Sequence, residues 1–262
     1  MGGHAFPSFP NWLESSGELQ LVIGNGIIID NCSHPLEKNT MSVQVVGISG
    51  SPIPNSNTDR AVRRILEFTG LSSQFVKLSD LDLAPCRACL GCVETNKCVV
   101  QDDGQALAEL FHGASAFVLG GYTPYSSLDA RSKAFMERMY CHRHRIGGNA
   151  RKFGVAVITT ACPPGVQGMP PAAETATSQI GFWMMEEGMT NLGTMVIQGN
   201  VPCIRCGHGD DCSMSGIKML YGPEATIASV GVKTLEEDTA LLSMAEELAK
   251  KLREAVIGQS AS

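Results

Sequence analysis

The sequence predicts an α/β protein, a doubly wound sheet of five parallel strands with helices on both faces. Three observations carry that expectation. From Met41 onward, short apolar runs of the buried-strand kind alternate with segments of helical period. The first and third runs end in glycine and small polar residues, where a strand gives way to a loop. The chain has 262 residues, 44% hydrophobic and 18% charged, enough to bury one large domain, or one domain with additions.

Each element follows from its own residues. Val43 to Ile48 reads as the first strand. Thr58 is placed to cap a helix carrying Ala61, Val62, Ile65 and Leu66 on one face. Gln74 to Lys77 is a weaker second strand, and a cysteine-rich insertion at 86–98 follows it. Asp102 or Asp103 caps a helix that turns Leu107, Leu110 and Phe111 inward. Ala116 to Leu119 is the third strand, and residues 128–140 are the next helix. Phe153 to Thr159 is the fourth strand, 172–187 is helical, and Leu192 to Ile197 is the fifth strand. Residues 200–231 read as irregular. Thr234 opens a last helix, with Glu237 completing a capping box and Leu241, Leu242, Ala245, Leu248, Leu252 and Val256 as its apolar face.

The first forty residues have a different texture. They read as an N-terminal extension with a short hairpin around Asn25-Gly26, and Met41 serves equally well as a natural start. The domain proper is 41–262. Strands that alternate with helices pair in parallel through right-handed crossovers. Ligands of such sheets bind beyond the carboxyl ends of the strands, here the loops after the first, third and fourth.

Charge and hydropathy exclude several function classes. A net charge of −6 argues against a nucleic-acid partner. The apolar run from Leu21 to Ile29 is broken by Gly24, Asn25 and Gly26, so no membrane span is expected. The start lacks a basic region followed by an apolar stretch, which implies no signal peptide and a cytoplasmic protein. In that reducing setting the ten cysteines point to metal or redox chemistry rather than disulfides.

The loop after the first strand is GISGSPIPNSNTDR, residues 47–60. It is neither a Walker loop nor G-x-G-x-x-G. It offers Ser49, Ser51, Asn55, Ser56, Asn57 and Thr58 at a helix N-terminus, where free amides and the helix dipole favour a phosphate. An ordinary polar, well-capped loop is the alternative.

The run CRACLGCVETNKC spaces Cys86, Cys89, Cys92 and Cys98 as C-x2-C-x2-C-x5-C. Three cysteines at x2 spacing wrap one corner of a cubane cluster, and the fourth returns after a short loop. Structural zinc normally takes two separated C-x2-C knuckles. A [4Fe-4S] cluster, zinc and a bare thiol cluster all remain open on spacing alone. Further on, Cys203, Cys206 and Cys212 form an incomplete set, a candidate second metal site whose fourth ligand could be Cys162, Cys141 or His208. The stretch CHRHR, with His142 and His144, reads as a solvated basic patch suited to an acidic partner.

Taken together, GISGSPxxxSNT, the cysteine run, CVVQDD and GGYTPYSSLDARSKAFMERM resemble the NADPH-dependent FMN reductase superfamily, and more narrowly its iron–sulfur flavoproteins, over residues 41–200. The resemblance implies a flavodoxin-like fold with strand order 2-1-3-4-5, bound FMN, a [4Fe-4S] cluster on the four cysteines, and a homodimer or homotetramer. Ser49, Ser51, Asn57 and Thr58 match the family's FMN phosphate loop, although Ile53 and Pro54 stand where a basic residue is usual. Gly121, Tyr122, Thr123, Pro124, Tyr125 and Ser126 match the segment that holds the flavin, in a shortened form, with Tyr122 or Tyr125 against the ring. Thr160, after the fourth strand, closes the other side. Three functions follow. One is electron transfer from a donor such as ferredoxin through cluster and FMN. The second is an NAD(P)H-dependent FMN or quinone reductase without a cluster. The third is a non-enzymatic carrier stabilised by metal. No protein acid, base or nucleophile stands out.

Overall fold

The protein is described here from a computed structural model, which covers residues 43–163 and 168–260. The expected N-terminal extension and its hairpin lie outside those residues.

Five strands form one parallel sheet: β1 (Val45–Ser49), β2 (Ser73–Lys77), β3 (Ala116–Tyr122), β4 (Phe153–Thr160) and β5 (Thr190–Gln198). Their order is β2-β1-β3-β4-β5, as expected. β1 and the first six residues of β3 are buried throughout, which suits apolar runs covered on both faces. Val45 pairs with Ser73 on one side and with Ala116 on the other, which sets the register of the centre.

The helices are α1 (Asn57–Thr69), α2 (Gly104–Gly113), α3 (Ala130–Arg138), α4 (Ala172–Glu186), the short α5 (Pro202–Cys206), α6 (Gly216–Tyr221) and α7 (Ile227–Val230), and α8 (Thr239–Ser260). Strand alternation divides the core in two. Val46, Ile48, Phe117 and Leu119 meet Phe111 of α2, Phe135 of α3 and Ile180 of α4. On the other face Val45, Val118 and Val157 meet Ile65 of α1 and Leu248 and Leu252 of α8. Met184 and Met189 are core residues, while Met185 is exposed.

Several local expectations are corrected. Ser56, not Thr58, caps α1: its hydroxyl accepts the Asp59 amide while the Asp59 carboxylate accepts the Ser56 amide. The serine wins because it has an acidic residue three positions on. The helix expected over 128–140 is α3, capped by Asp129 and followed by a 3-10 turn, Met139–His142. The capping box of Thr234 and Glu237 exists, but it closes only the turn Leu235–Glu237, and α8 starts at Thr239. Residues 200–231 hold three short helices rather than none.

The base of that last segment is tied. Asn200 Nδ2 donates to the Lys233 carbonyl at 2.8 Å, and the Lys233 amide donates back to Asn200 Oδ1 at 2.7 Å. Asn57, at the start of α1, joins them: its Nδ2 also donates to the Lys233 carbonyl, and its Oδ1 accepts the Leu235 amide. Among the described residues no helix is long and apolar enough to cross a membrane.

α1 lies directly on β1 at Gly47, where a Cβ would stand 2.5 Å from Leu66 Cδ1 and 2.7 Å from Val62 Cγ1. Gly47→Ala therefore overpacks the centre of the sheet and should cost about 1–3 kcal/mol. Urea unfolding measures it, and a midpoint unchanged from wild type would show that α1 can retreat freely.

Candidate functional site

In this sheet the loops after β1, β3 and β4 leave the same carboxyl rim, and the cysteine segment follows β2 at its edge. The β1 loop is tied down by its own side chains. Ser49 is fully buried and its hydroxyl donates to Asp59 Oδ1 at 2.6 Å. Ser49 Oγ accepts the Ser51 amide, and Ser51 Oγ accepts the Ile53 amide. Thr58 is buried, with its hydroxyl donating to Thr159 Oγ1 of β4 at 2.9 Å. Asn57 is engaged with residues 233 and 235. Three of the four expected phosphate residues are thus committed to positioning the loop, and Ser51 keeps its hydroxyl proton available. A cation does reach the loop, from an unexpected place. Lys77, the last residue of β2, donates to the Ile53 carbonyl at 3.0 Å and pairs with buried Asp59 at 2.6 Å. It neutralises the one carboxylate at this helix start.

Asp129 organises the next loop. It is fully buried and caps α3, accepting the Ser132 amide at 2.9 Å and the Ser132 hydroxyl at 2.7 Å. It also accepts the Tyr122 amide at 3.3 Å, and burial pushes its carboxyl above the usual range. The β1 loop rests on the same group, since a Cβ on Gly50 would overlap Asp129 and Ser132. Gly121 is likewise pressed against Leu128 and Asp129, so its small size serves packing here. The tip of the loop is strained: Tyr125 and Ser126 have φ of 50° and 62°. Non-glycine residues in that region cost energy and concentrate at functional loops. The Tyr125 ring stands fully in solvent at the rim, whereas Tyr122 is half-buried beside Asp129. Thr123 and Pro124 lead into the tip, and Gln179 of α4 holds its far side by accepting the Leu128 amide. Thr160 is buried, and its hydroxyl donates to the Cys162 carbonyl at 3.3 Å.

The cysteine segment is closed at both ends by one ion pair. Arg138, the last residue of α3, is buried and donates to Asp102 Oδ2 at 2.6 Å and Oδ1 at 2.8 Å. Arg138 Nη1 also donates to the Ala84 carbonyl, and the Ala84 amide donates to Asp102. Burial pushes the Asp102 carboxyl up, but the Arg138 contacts outweigh it and hold it below the usual carboxylate range. Between these anchors Ala88, Leu90 and Asn96 take positive φ and wind the chain. Asn96 pins the far turn by donating to the carbonyls of Cys141 and His144.

Cys86, Cys89, Cys92 and Cys98 line one concavity, with Arg138 and Cys141 at its floor. Cys92 and Cys98 pack on the core, while Cys86 and Cys89 are exposed. As the side chains stand, no group of three or more His, Cys, Asp or Glu among the described residues is gathered tightly enough to hold a metal ion. The set nevertheless fits one in its chemistry. Burial raises the Cys92 thiol, and an ionised thiolate at any of the other three would raise it further, so the four sulfurs lie within electrostatic reach of one another. Four thiolates this close are stable together only around a metal that offsets their charge, and Cys86 and Cys89 are exposed, with no packing to hold them outward.

A family model described as NADPH-dependent FMN reductase matches residues 43–194. The chain belongs to this family. An iron–sulfur flavoprotein of Methanocaldococcus jannaschii is 33% identical over 155 residues, 58% of this chain and 76% of that protein. That similarity places the chain in the iron–sulfur flavoprotein branch. A second iron–sulfur flavoprotein, from Methanosarcina thermophila, is 26% identical over 81% of this chain and all of its own length. The NAD(P)H:quinone oxidoreductase of Methanothermobacter marburgensis shares the fold, with a TM-score of 0.53 at 13% identity over 81% of this chain and 98% of that one. Membership makes the protein an FMN-binding oxidoreductase and its architecture flavodoxin-like.

Within this FMN reductase family member, four residues of the site were not expected from sequence. Asp129 carried a local signal, an Asp three residues before Ser132 at a helix start. Lys77, Asp102 as an ion-pair partner, and Arg138 had none, because strand order and helix packing bring them in. Cys141 is buried below the first cysteines, and burial with the charges of Cys98 and Cys92 pushes its thiol up to about 12. It therefore belongs with that run and not with Cys203, Cys206 and Cys212. The CHRHR stretch is a solvated basic patch only in part, since Arg143 and Arg145 are exposed but the first histidine is not. His142 is buried, stacked on His112 at 4.6 Å with Nε2 3.0 Å from the Ala108 carbonyl, and Arg145 is paired with Glu94.

Replacing Arg138 by Met should leave Asp102 buried without its counter-charge, at a cost of about 3–5 kcal/mol. Chemical denaturation of the purified variant measures this. A loss under 1 kcal/mol would show that Asp102 finds solvent when the arginine is removed.

Proposed function

We propose that this protein passes electrons between a one-electron donor such as ferredoxin and an acceptor, through a [4Fe-4S] cluster and FMN. The observation that supports the reading is topological. The cysteine segment follows β2, and the candidate flavin loops follow β1, β3 and β4, on one rim of one parallel sheet. Bound there, the cluster supplies single electrons and the flavin accepts two with protons, which couples one-electron delivery to two-electron chemistry.

The chain's own residues hold and orient. Cys86, Cys89, Cys92 and Cys98 are the cluster thiolates, with Arg138 beneath as a fixed positive charge. The first turn of α1 and the Ser51 hydroxyl receive the FMN phosphate. Ser49, Asn57 and Thr58 keep that turn in place through Asp59, Lys233 and Thr159. Tyr122, Thr123, Pro124, Tyr125 and Ser126 form one wall for the ring, Gly121 lets that wall close on Asp129, and Thr160 bounds the other side. Exposed apolar side chains at Leu90, Tyr125, Phe182 and Met185 support a homodimer or homotetramer. The ungathered thiols favour one second reading, an NAD(P)H-dependent FMN or quinone reductase whose cysteines carry no cluster.

Two measurements test the proposal. Ser51→Ala should weaken FMN by about 1.5–3 kcal/mol through one lost charge-assisted hydrogen bond, and riboflavin much less. Equal weakening of both would place the phosphate elsewhere. Cys89→Ser should lose iron, keep flavin, and lose rapid flavin reduction by reduced ferredoxin in stopped flow, because serine is a harder and poorer ligand. A variant without iron that is reduced at the wild-type rate would leave the cluster-free reductase as the better reading.

A further inference from the structure

Residues 202–232 leave the sheet after β5 and return to the pinch at Asn200 and Lys233. The segment buries little: within it only Gly209, Ser215 and Ile217 are buried, so one apolar side chain stands in place of a core. Three short helices and their connections cannot be ordered by that burial alone. Segments of this kind are held by disulfides or metal, and Cys203, Cys206 and Cys212 are all free thiols.

The three cysteines repeat, as C-x2-C-x5-C, the spacing of Cys89, Cys92 and Cys98. Backbone amides also meet two of the three sulfurs. The Gly216 amide donates to Cys203 Sγ at 3.3 Å, across the excursion, and the Met214 amide to Cys212 Sγ at 3.3 Å, with the two-residue offset that Ala88 has to Cys86 in the first run. A thiol is a weak acceptor for a backbone donor, and a metal-bound thiolate is a strong one. The chain also folds back on itself here. Gly207, with φ of 79°, closes α5 on the Cys203 carbonyl, and the Cys212 amide donates to the His208 carbonyl at 3.0 Å. A Cβ on Gly209 would stand only 3.2 Å from Cys203 Cβ, so the 206–212 turn lies against the first cysteine.

We propose that Cys203, Cys206 and Cys212 bind a thiophilic metal centre, distinct from the 86–98 site, that staples residues 202–232. Binding releases the three thiol protons to solvent and turns the exposed Cys206 inward, and His208 is the nitrogen donor on the same turn. The site shares no residue with the flavin loops or the 86–98 run, so it stands or fails apart from the electron-transfer reading.

The test uses the full chain, purified without oxygen from medium replete in iron and zinc. Iron, zinc and sulfide are counted per chain for wild type, Cys206→Ser, Cys212→Ser and Cys89→Ser. Cys206 is exposed, so its serine variant keeps the fold, which circular dichroism checks. Both C-terminal variants should lose one metal complement that Cys89→Ser retains: one zinc per chain, or iron with sulfide, the two forms of thiolate-bound centre. Trypsin should then cut at Arg205 and Lys218 at least tenfold faster than in wild type. Wild-type metal content in both C-terminal variants overturns the inference. So does loss of all metal in every variant, which would mean a single shared centre.

Discussion

Arg138 carries a full positive charge into the interior, and Asp102 meets it with both oxygens. Neither group is tolerated there alone, because the loss of hydration would go unanswered. The pair therefore forces three parts of the chain together: the end of α3, the start of α2, and Ala84 just before the first cysteine. Even the first residue of α2 is dictated by it, since a side chain on Gly104 would occupy the guanidinium's place. A buried ion pair adds little net stability over a well-packed apolar substitute. What it does here is close a long cysteine segment whose own contacts with the core are few.

α3 carries a second buried charge at its other end. Asp129 precedes its first turn, and Arg138 is its last residue. The first holds the loops after β1 and β3, and the second holds the cysteine segment. The helix is thus a ruler between the two halves of the rim, about 14 Å long by its rise per residue. Its rigidity comes from Phe135 and Met136 in the core beneath α2 and α4.

Much of this was legible in the sequence, and the boundary is physical. Period-two and period-3.6 patterns depend on which side chains are buried, so β1, β3, β4, α1 and the apolar face of α8 could be read directly. The four cysteines could be read as one group because their spacing is local, and they do line one concavity. Caps were misassigned where two candidates competed, as at Ser56 and Thr58, because the outcome turns on which residue has a partner three positions on. The pairs Lys77–Asp59 and Arg138–Asp102 could not be read at all. Each joins residues 18 and 36 positions apart, and nothing local announces such a meeting. The roles of Ser49 and Thr58 shifted for the same reason: their partners come from another element, so hydroxyls that look free in sequence are committed in space.

The mutual hydrogen bonds of Asn200 and Lys233 have a consequence for how this protein could change. They bring the two ends of a long excursion within one residue's reach, so the sheet does not sense what lies between them. Such a segment behaves as a cassette. It can lengthen, shorten or be exchanged for a tight turn, provided the asparagine and the backbone it meets are kept. The family model ends at residue 194, before the excursion begins. The same junction also touches Asn57 at the head of α1, so a graft made there would be carried next to the cofactor loop without being woven into the core.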